Sequence, residues 1–218
     1  MKQVNIEKIY KILKQEFDKH QMPVVDLIEA TTKNPMNVLL GTILSARTKD
    51  EVTAKASKQL FSKVKKINDL NKLSQKEIEK LIYPVGFYKT KARHLKELPK
   101  VLEKEFKGII PDTVEELIKL PGVGRKTANL VVAVGFHKPG MCIDTHCHRI
   151  PQRLGWFISK SPFETEMIMR EIIPIKYWEK INSLFVSFGQ HICRPISPKC
   201  SVCPIKQYCK RVGVTSSR

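Results

Sequence analysis

Apolar residues recur along the chain at the three- and four-residue spacing of helices, and no segment shows the sustained alternation of a half-buried strand. The first apolar stripe runs over residues 6–17, where Ile6, Ile9, Leu13 and Phe17 share one helical face. Similar patterns predict further helices near residues 50–66, 75–82, 89–106, 114–120, 124–136, 162–173 and 177–191. The pattern therefore predicts an all-α fold of many short helices, in which Pro99 kinks or splits the longest one.

Helix start signals support these assignments. Asn34 followed by Pro35 is typical of an N-cap and a first helical residue. Four Ser/Thr-x-x-Glu sequences predict capping boxes, in which the hydroxyl and the carboxylate satisfy free backbone N–H groups. They pair Thr48 with Glu51, Ser74 with Glu77, Thr113 with Glu116, and Ser161 with Glu164.

The net charge of the chain and its distribution along the sequence indicate what kind of partner the protein binds. The 218 residues include 39 Lys plus Arg and 21 Asp plus Glu, a net charge of +18, and residues 180–218 hold seven basic residues and no acidic one. A surface of this kind favours nucleic acid as the partner, although lysine-rich surfaces also occur in heat-adapted proteins. Because the longest apolar run is short and the N-terminus lacks a signal-peptide core, the sequence predicts a soluble, cytoplasmic protein with no membrane partner.

A glycine-rich turn lies between two of the predicted helices. Residues 120–124 read Leu-Pro-Gly-Val-Gly, and the second helix begins near Gly124. Its free N–H groups and positive dipole end can bind a phosphate, so the turn predicts a helix-hairpin-helix that clamps the DNA backbone. The alternative is an ordinary turn capped by glycine. The candidate DNA contacts in this hairpin are Gly122, Val123, Gly124, Arg125 and Thr127.

Two residues near the hairpin could carry chemistry. Lys126 lies in the first turn of the second helix, where the dipole favours the neutral, nucleophilic amine, although position alone favours a simple phosphate contact. Asp144 is placed to cap the helix that opens at Thr145, and a carboxylate there could also stabilise positive charge on a sugar. Spacing alone does not show that Lys126 and Asp144 meet.

Four of the six cysteines form a short loop. They follow a Cys-x6-Cys-x2-Cys-x5-Cys pattern at Cys193, Cys200, Cys203 and Cys209. Four thiols this close in an intracellular chain indicate a metal site, which could hold one zinc ion or one iron–sulfur cluster. Arg194 and Lys199 make the loop basic and are candidate DNA contacts, whereas Cys142 and Cys147 fit small buried hydrophobic positions.

These motifs together resemble the endonuclease III family of helix-hairpin-helix DNA glycosylases and abasic-site lyases. The resemblance is carried by residues 120–129, by Ile-Asp-Thr-His at residues 143–146 and by the cysteine loop, all in the family's order and spacing. It implies a [4Fe–4S] cluster on the four cysteines, Lys126 as the nucleophile and Asp144 as the essential carboxylate. It also implies two all-α domains with DNA in the cleft between them: a six-helix barrel over residues 28–138, and a cluster domain formed by residues 1–27 and 139–218, with its cluster loop at 193–209.

The implied reaction removes oxidised or ring-saturated pyrimidines from duplex DNA and cuts the strand by β-elimination, with a monomer acting on damaged or abasic duplex DNA. The family fills the hole left by the flipped base from three loops, which match Arg47, Phe87 and His146 here. Bacterial members usually carry Gln and Leu at the first two positions, so lesion range and opposite-base preference stay open. The alternatives are a glycosylase for thymine or uracil mispaired with guanine, and a non-catalytic helix-hairpin-helix DNA-binding protein.

Overall fold

A computed structural model describes residues 4–218, and this range contains helices and turns but no strand, which confirms the all-α prediction. The helices are α1 (Ile6–Phe17), α2 (Val24–Thr32), α3 (Pro35–Ser45), α4 (Asp50–Lys63), α5 (Gln75–Ile82), α6 (Tyr88–Phe106), α7 (Val114–Leu117), α8 (Arg125–Leu130), α9 (Thr145–Leu154), α10 (Pro162–Ile172) and α11 (Trp178–His191). A π-helical segment, Val131–Gly135, continues α8, and short 3₁₀ turns occupy Ile67–Lys72, Ile175–Tyr177 and Lys206–Tyr208. Within the described range, no helix combines the length and the apolar character that a membrane span requires.

The chain divides into two compact units. One unit is the continuous segment Val24–Gly140, and the other combines Met1–Pro23 with Met141–Arg218. We call the first the inserted unit and the second the terminal unit. The inserted unit therefore interrupts the sequence of the terminal unit, which is assembled from two distant parts of the chain.

The core of the inserted unit is built from leucine-rich faces of α3 to α6. Leu95, Leu98 and Leu102 of α6 are completely buried in it. Pro99 lies inside this helix without splitting it, because Leu98 and Leu102 are buried in the core and their packing offsets the hydrogen bond that proline removes. The result is one helix of 19 residues.

The core of the terminal unit joins the N-terminal helix to the C-terminal third of the chain. Ile9 and Leu13 of α1 are 1% exposed and belong to the same apolar cluster as Phe185 of α11. The predicted stripe of residues 6–17 is thus confirmed as the buried face of α1. Cys147 lies in this cluster and, like Cys142, is completely buried, as expected for a small apolar residue.

Most of the predicted helix starts are present. Asn34 accepts a hydrogen bond from the Met36 N–H (2.9 Å), and Pro35 is the first residue of α3. Ser74 and Glu77 form a complete capping box, while Thr113 and Ser161 each cap their helix through one hydroxyl bond. The Glu164 carboxylate accepts from the Lys160 N–H rather than from that of Ser161.

Two sequence predictions need correction. The capping box of Thr48 with Glu51 is wrong, because α4 begins at Asp50 with Lys49 as its N-cap. The Thr48 hydroxyl instead accepts hydrogen bonds from Gly86 and Lys91, which are distant in sequence. The pattern also missed α2, although Val24 and Ile28 give it a short buried face.

Candidate DNA-repair site

The hairpin between α7 and α8 requires glycine at its first glycine position. Gly122 has φ +78°, a conformation that other residues adopt only at a cost, and a Cβ there would lie 2.7 Å from Nδ1 of His94. The side chain of Val123 is buried in the core of the inserted unit, and its N–H donates to the Leu120 carbonyl (3.1 Å). The buried Val123 side chain therefore anchors the turn, and Gly122 is exposed at the surface.

The second glycine position is different. Gly124 is the N-cap of α8, with ordinary extended backbone angles, and a Cβ added to it would meet no atom within 4 Å. It offers no side chain to cap the first turn of α8. Nothing inside the inserted unit thus demands glycine here, whereas an approaching phosphate would need the space that a Cβ fills.

The first turn of α8 presents Lys126 to solvent. Lys126 is exposed, while its neighbours Arg125 and Thr127 are half-buried. Within residues 4–218, the Lys126 ammonium forms no ion pair or hydrogen bond, so the amine is accessible to a ligand.

Asp144 caps α9, as predicted. One carboxylate oxygen, Oδ1, accepts hydrogen bonds from the backbone N–H groups of His146 (2.9 Å) and Cys147 (2.8 Å). These two bonds orient the half-buried carboxylate. Within residues 4–218, Oδ2 accepts no hydrogen bond, so it can face a cationic ligand.

His146 is packed closely within the terminal unit. Its Nδ1 lies 3.1 Å from Nη2 of Arg149, which also donates to the Cys193 carbonyl (2.9 Å). The imidazole lies directly against the backbone of Gly189 in α11, where an added Cβ would overlap the ring. No sequence motif singles out Gly189, and its role is visible only in three dimensions.

Arg47 and Phe87, predicted from separate loops, lie next to each other in the inserted unit. Arg47 follows α3 and Phe87 precedes α6, and the Arg47 guanidinium carbon lies 5.4 Å from the centre of the Phe87 ring. Both residues have left-handed backbone angles, φ +54° and +57°. Both side chains are exposed, and Phe87 remains 61% accessible. An exposed aromatic ring held under a guanidinium is available to contact bases.

The four predicted cysteine ligands line one pocket in the terminal unit. Burial raises the pKa of Cys203 to about 11 and also raises that of Cys209, so ionised thiolates here need a cationic group to compensate them. Two of the sulfurs accept hydrogen bonds from N–H groups. The Arg153 guanidinium donates to Cys193 (3.5 Å), and the Arg211 backbone N–H donates to Cys209 (3.3 Å). Within residues 4–218, no three His, Cys, Asp or Glu side chains converge as a single ion requires.

Four thiolate donors that line one pocket fit a [4Fe–4S] cluster. In a [4Fe–4S] cluster each iron takes its own thiolate, so the ligands surround a volume instead of meeting at a point. Lys199 borders the same pocket and Arg194 is exposed beside it.

The candidate residues fall into both units. Lys126, Arg47 and Phe87 belong to the inserted unit, and Asp144 and His146 belong to the terminal unit. The sequence analysis also missed Lys91, which is buried beside the Arg47 loop. The signal was present, because Lys91 occupies the helical stripe of buried positions that continues through Leu95 and Leu98.

Comparison with known proteins matches both parts of this description. Residues 40–175 match the family model of the HhH-GPD superfamily base excision DNA repair protein, and residues 193–209 match the iron-sulfur binding domain of endonuclease III. Endonuclease III of Thermotoga maritima is 45% identical over 177 residues, which cover 81% of this chain and 83% of that protein. Endonuclease III homolog 2 of Arabidopsis thaliana is 42% identical over 83% of this chain, but the chain spans only 50% of its length.

Solved structures agree with the sequence relatives. A trapped endonuclease III–DNA covalent intermediate superimposes with a TM-score of 0.80 at 32% identity, covering 95% of this chain and 97% of that one. A thermostable thymine-DNA glycosylase shares the fold, with a TM-score of 0.79 at 24% identity over 94% of this chain and 95% of that one. The chain therefore belongs to the endonuclease III family of the HhH-GPD superfamily, the DNA glycosylases and abasic-site lyases of base excision repair that carry a [4Fe–4S] cluster.

Proposed function

We propose that Lys126 and Asp144 are the catalytic residues of a bifunctional enzyme that removes oxidised or ring-saturated pyrimidines from duplex DNA and then cuts the strand. The observation that carries this proposal is the exposed Lys126 amine, which follows the hairpin directly and has no partner within the described residues. A non-catalytic DNA-binding protein would need a positive charge there but not a free nucleophile. The substrate class follows the family to which the chain belongs.

The Lys126 amine can perform both steps. Its lone pair attacks C1′ of the damaged nucleotide, and the base departs with the electrons of the glycosidic bond and takes up a proton. Opening of the sugar ring converts the resulting amine into an imine. Loss of a proton from C2′ then expels the 3′ phosphate with the C3′–O electrons, and water releases the enzyme from the imine. No oxidant or reductant is consumed.

Asp144 is assigned two roles: it stabilises positive charge on the sugar, and it transfers protons. The cap bonds to His146 and Cys147 fix the carboxylate through one oxygen, so the other can stabilise the positive charge that develops on the sugar. The same oxygen can take up or release protons during imine formation. A side chain held in this way changes little between the free and the reacting state, which is the condition for preorganised electrostatic stabilisation.

The remaining candidate residues either bind the DNA backbone or fill the space that the flipped base leaves. The first turn of α8, with its bare Gly124 cap, binds a phosphate, and Arg194 and Lys199 add charge near the cysteine loop. Arg47, Phe87 and His146 are the candidate residues for the space that the flipped base vacates. Cys193, Cys200, Cys203 and Cys209 would hold the [4Fe–4S] cluster, which would cross-link the loop through its bonds to the four thiolates.

Borohydride trapping tests the proposal. Borohydride reduces an imine and links the protein covalently to a duplex containing thymine glycol, so the native chain should form an adduct and Lys126→Ala should form none. Lys119→Ala is the matched control, because Lys119 is another exposed lysine of the hairpin. It should trap at the native level. Asp144→Asn should slow base release by about 100-fold or more.

The outcomes separate the proposal from its alternatives. Strand cleavage and trapping that persist in Lys126→Ala would refute the assignment of the nucleophile. Base release from thymine–guanine or uracil–guanine mispairs without any trapped adduct would instead identify a monofunctional mismatch glycosylase. Tight binding with neither base release nor trapping would identify a DNA-binding protein.

A further inference from the structure

Two loops of the inserted unit are fastened together where Arg47 and Phe87 emerge. A Cβ at Gly86 would lie only 2.5 Å from the Arg47 carbonyl oxygen, so the two backbones touch at this point. The Gly86 N–H also donates to the Thr48 hydroxyl (3.1 Å). The chain segments on either side of the Arg47–Phe87 pair therefore bond directly to each other.

The geometry of the pair is unfavourable in isolation. Arg47 and Phe87 both have φ values in the left-handed region, where side chains other than glycine are uncommon. Two such residues in contact persist only where their surroundings hold them, and such positions cluster at functional sites. The side chains of Arg47 and Phe87 are exposed, so we expect the contacts that hold their backbones in this conformation to come from buried residues.

Lys91 supplies the restraint from the interior. Its side chain is 7% exposed, and its ammonium donates to the carbonyls of Leu44 (2.8 Å) and Ala46 (2.6 Å) and to the Thr48 hydroxyl (3.3 Å). These acceptors lie on both sides of Arg47. The Lys91 backbone N–H also donates to the Phe87 carbonyl (3.0 Å), so a single residue contacts both loops.

The bonding of Lys91 is unusual for a buried charge. All its acceptors are neutral oxygens, and within the described residues no carboxylate pairs with it. Burying an ammonium without a counterion is costly, and an apolar side chain of the same length would fill the same stripe of α6. The hydrogen bonds to the Arg47 loop are what the lysine adds to this position.

We infer that Lys91 is a positioning residue that, with Thr48, holds Arg47 and Phe87 as a preassembled pair for the DNA space vacated by the flipped base. The inference rests on the proposed function, because it concerns how that reaction reaches its extrahelical state. A pair ordered before binding loses less conformational freedom when DNA binds, so more of its contact energy remains for stabilising the flipped state.

The competing explanation is that Lys91 merely caps the C-terminal end of α3. The chain contains a matched example of such a cap in Lys96. The Lys96 ammonium donates to the carbonyls of Leu70, Asn71 and Leu73 at the end of the 3₁₀ turn Ile67–Lys72. It lies on the same helix as Lys91 but contacts a different loop. Lys96→Met is therefore a control for loss of a capping lysine.

A double-mutant cycle distinguishes the two explanations. Lys91→Met, Arg47→Ala and the double variant are assayed for kcat/KM on a duplex with thymine glycol and for thermal unfolding. Each single variant should lower kcat/KM by about tenfold, and the double variant should be no worse than Arg47→Ala, because Lys91 acts through Arg47. The loss in Tm caused by Lys91→Met should be the same in the native background and in the Arg47→Ala background.

Lys96→Met should lower Tm while leaving kcat/KM within about twofold of the native value. Losses in kcat/KM that multiply in the double variant, or an equal loss in Lys96→Met, would overturn the inference. If Lys91→Met does not fold, Thr48→Val removes the shared hydroxyl, should lower kcat/KM by about threefold and should show the same coupling to Arg47→Ala. A native chain that neither traps nor cleaves would refute the proposed function instead, so the two failures are distinguishable.

Discussion

At the scale of the residue, the candidate site departs from what packing alone would select. Gly124 has room for a side chain that it lacks, Lys91 is buried without a counterion, and Arg47 and Phe87 have left-handed backbone angles. Each of these residues either is assigned to DNA contact or lies beside one that is. Local departures from the rules of stability are expected where a protein has been selected for binding or catalysis.

The two hairpin glycines give a matched prediction. Gly122→Ala should destabilise the fold by about 1–3 kcal/mol, because the left-handed φ and the nearby His94 ring both oppose a Cβ. Gly124→Ala should cost less than about 1 kcal/mol but weaken duplex binding by about tenfold, since its Cβ would meet only an approaching phosphate. Urea unfolding and DNA titration measure the two effects. Native affinity in Gly124→Ala would argue against phosphate binding at this helix end.

The buried lysine predicts a dependence of stability on pH. Burial lowers the pKa of Lys91 from its usual 10.5 to about 8, so above pH 8 the folded chain has lost a proton that the unfolded chain keeps until about 10.5. Folding is then increasingly favoured as pH rises through this window. The native chain should therefore gain about 1–2 kcal/mol relative to Lys91→Met between pH 7.5 and 9.5. Urea unfolding at both pH values tests this, and parallel behaviour of the two chains would contradict it.

At the scale of the element, local sequence signals located most helices but failed where distant segments compete for the same group. The capping box at Ser74 uses only neighbours in sequence and was predicted correctly. Thr48 begins the same Ser/Thr-x-x-Glu pattern, yet its hydroxyl accepts hydrogen bonds from Gly86 and Lys91, which are about 40 residues away in the sequence. Because tertiary hydrogen bonds are invisible in a local pattern, the fastening of the Arg47 loop could not be predicted from the sequence. The candidate catalytic and metal-binding residues, by contrast, could be proposed from the sequence because their motifs are short and contiguous.

We expect the cysteine loop to be ordered as one element only when its four side chains are cross-linked. The segment from Cys193 to Cys209 contains one short 3₁₀ turn, so little regular backbone hydrogen bonding supports it. Cys203→Ser should therefore lower the Tm and weaken duplex binding before it affects the chemical step. Single-turnover trapping at saturating enzyme measures the chemistry separately from affinity. A fully stable variant that binds DNA normally but fails to trap would contradict this order of effects.

At the scale of the whole molecule, the net charge of +18 favours association with DNA, and the number of phosphates contacted sets the salt dependence of binding. Each phosphate contact releases a condensed counterion, so affinity falls steeply with salt whatever the sequence of the DNA. If about four phosphates are neutralised, affinity for undamaged duplex should fall by about 100-fold between 50 and 200 mM salt. Fluorescence anisotropy titrations give this slope. A flat response would mean that the basic residues, including those of residues 180–218, do not contact phosphates.

The interrupted sequence of the terminal unit has a consequence for synthesis on the ribosome. The apolar face of α1 emerges before the inserted unit, yet its packing partner α11 follows only after the whole inserted unit has been made. At ribosomal speeds this delay is on the order of ten seconds or more. The inserted unit can fold during that interval, while Ile9 and Leu13 stay uncovered. The nascent chain therefore exposes the apolar face of α1 until α11 has been synthesised. We expect chaperones to bind the chain at this stage, because exposed apolar surface promotes aggregation.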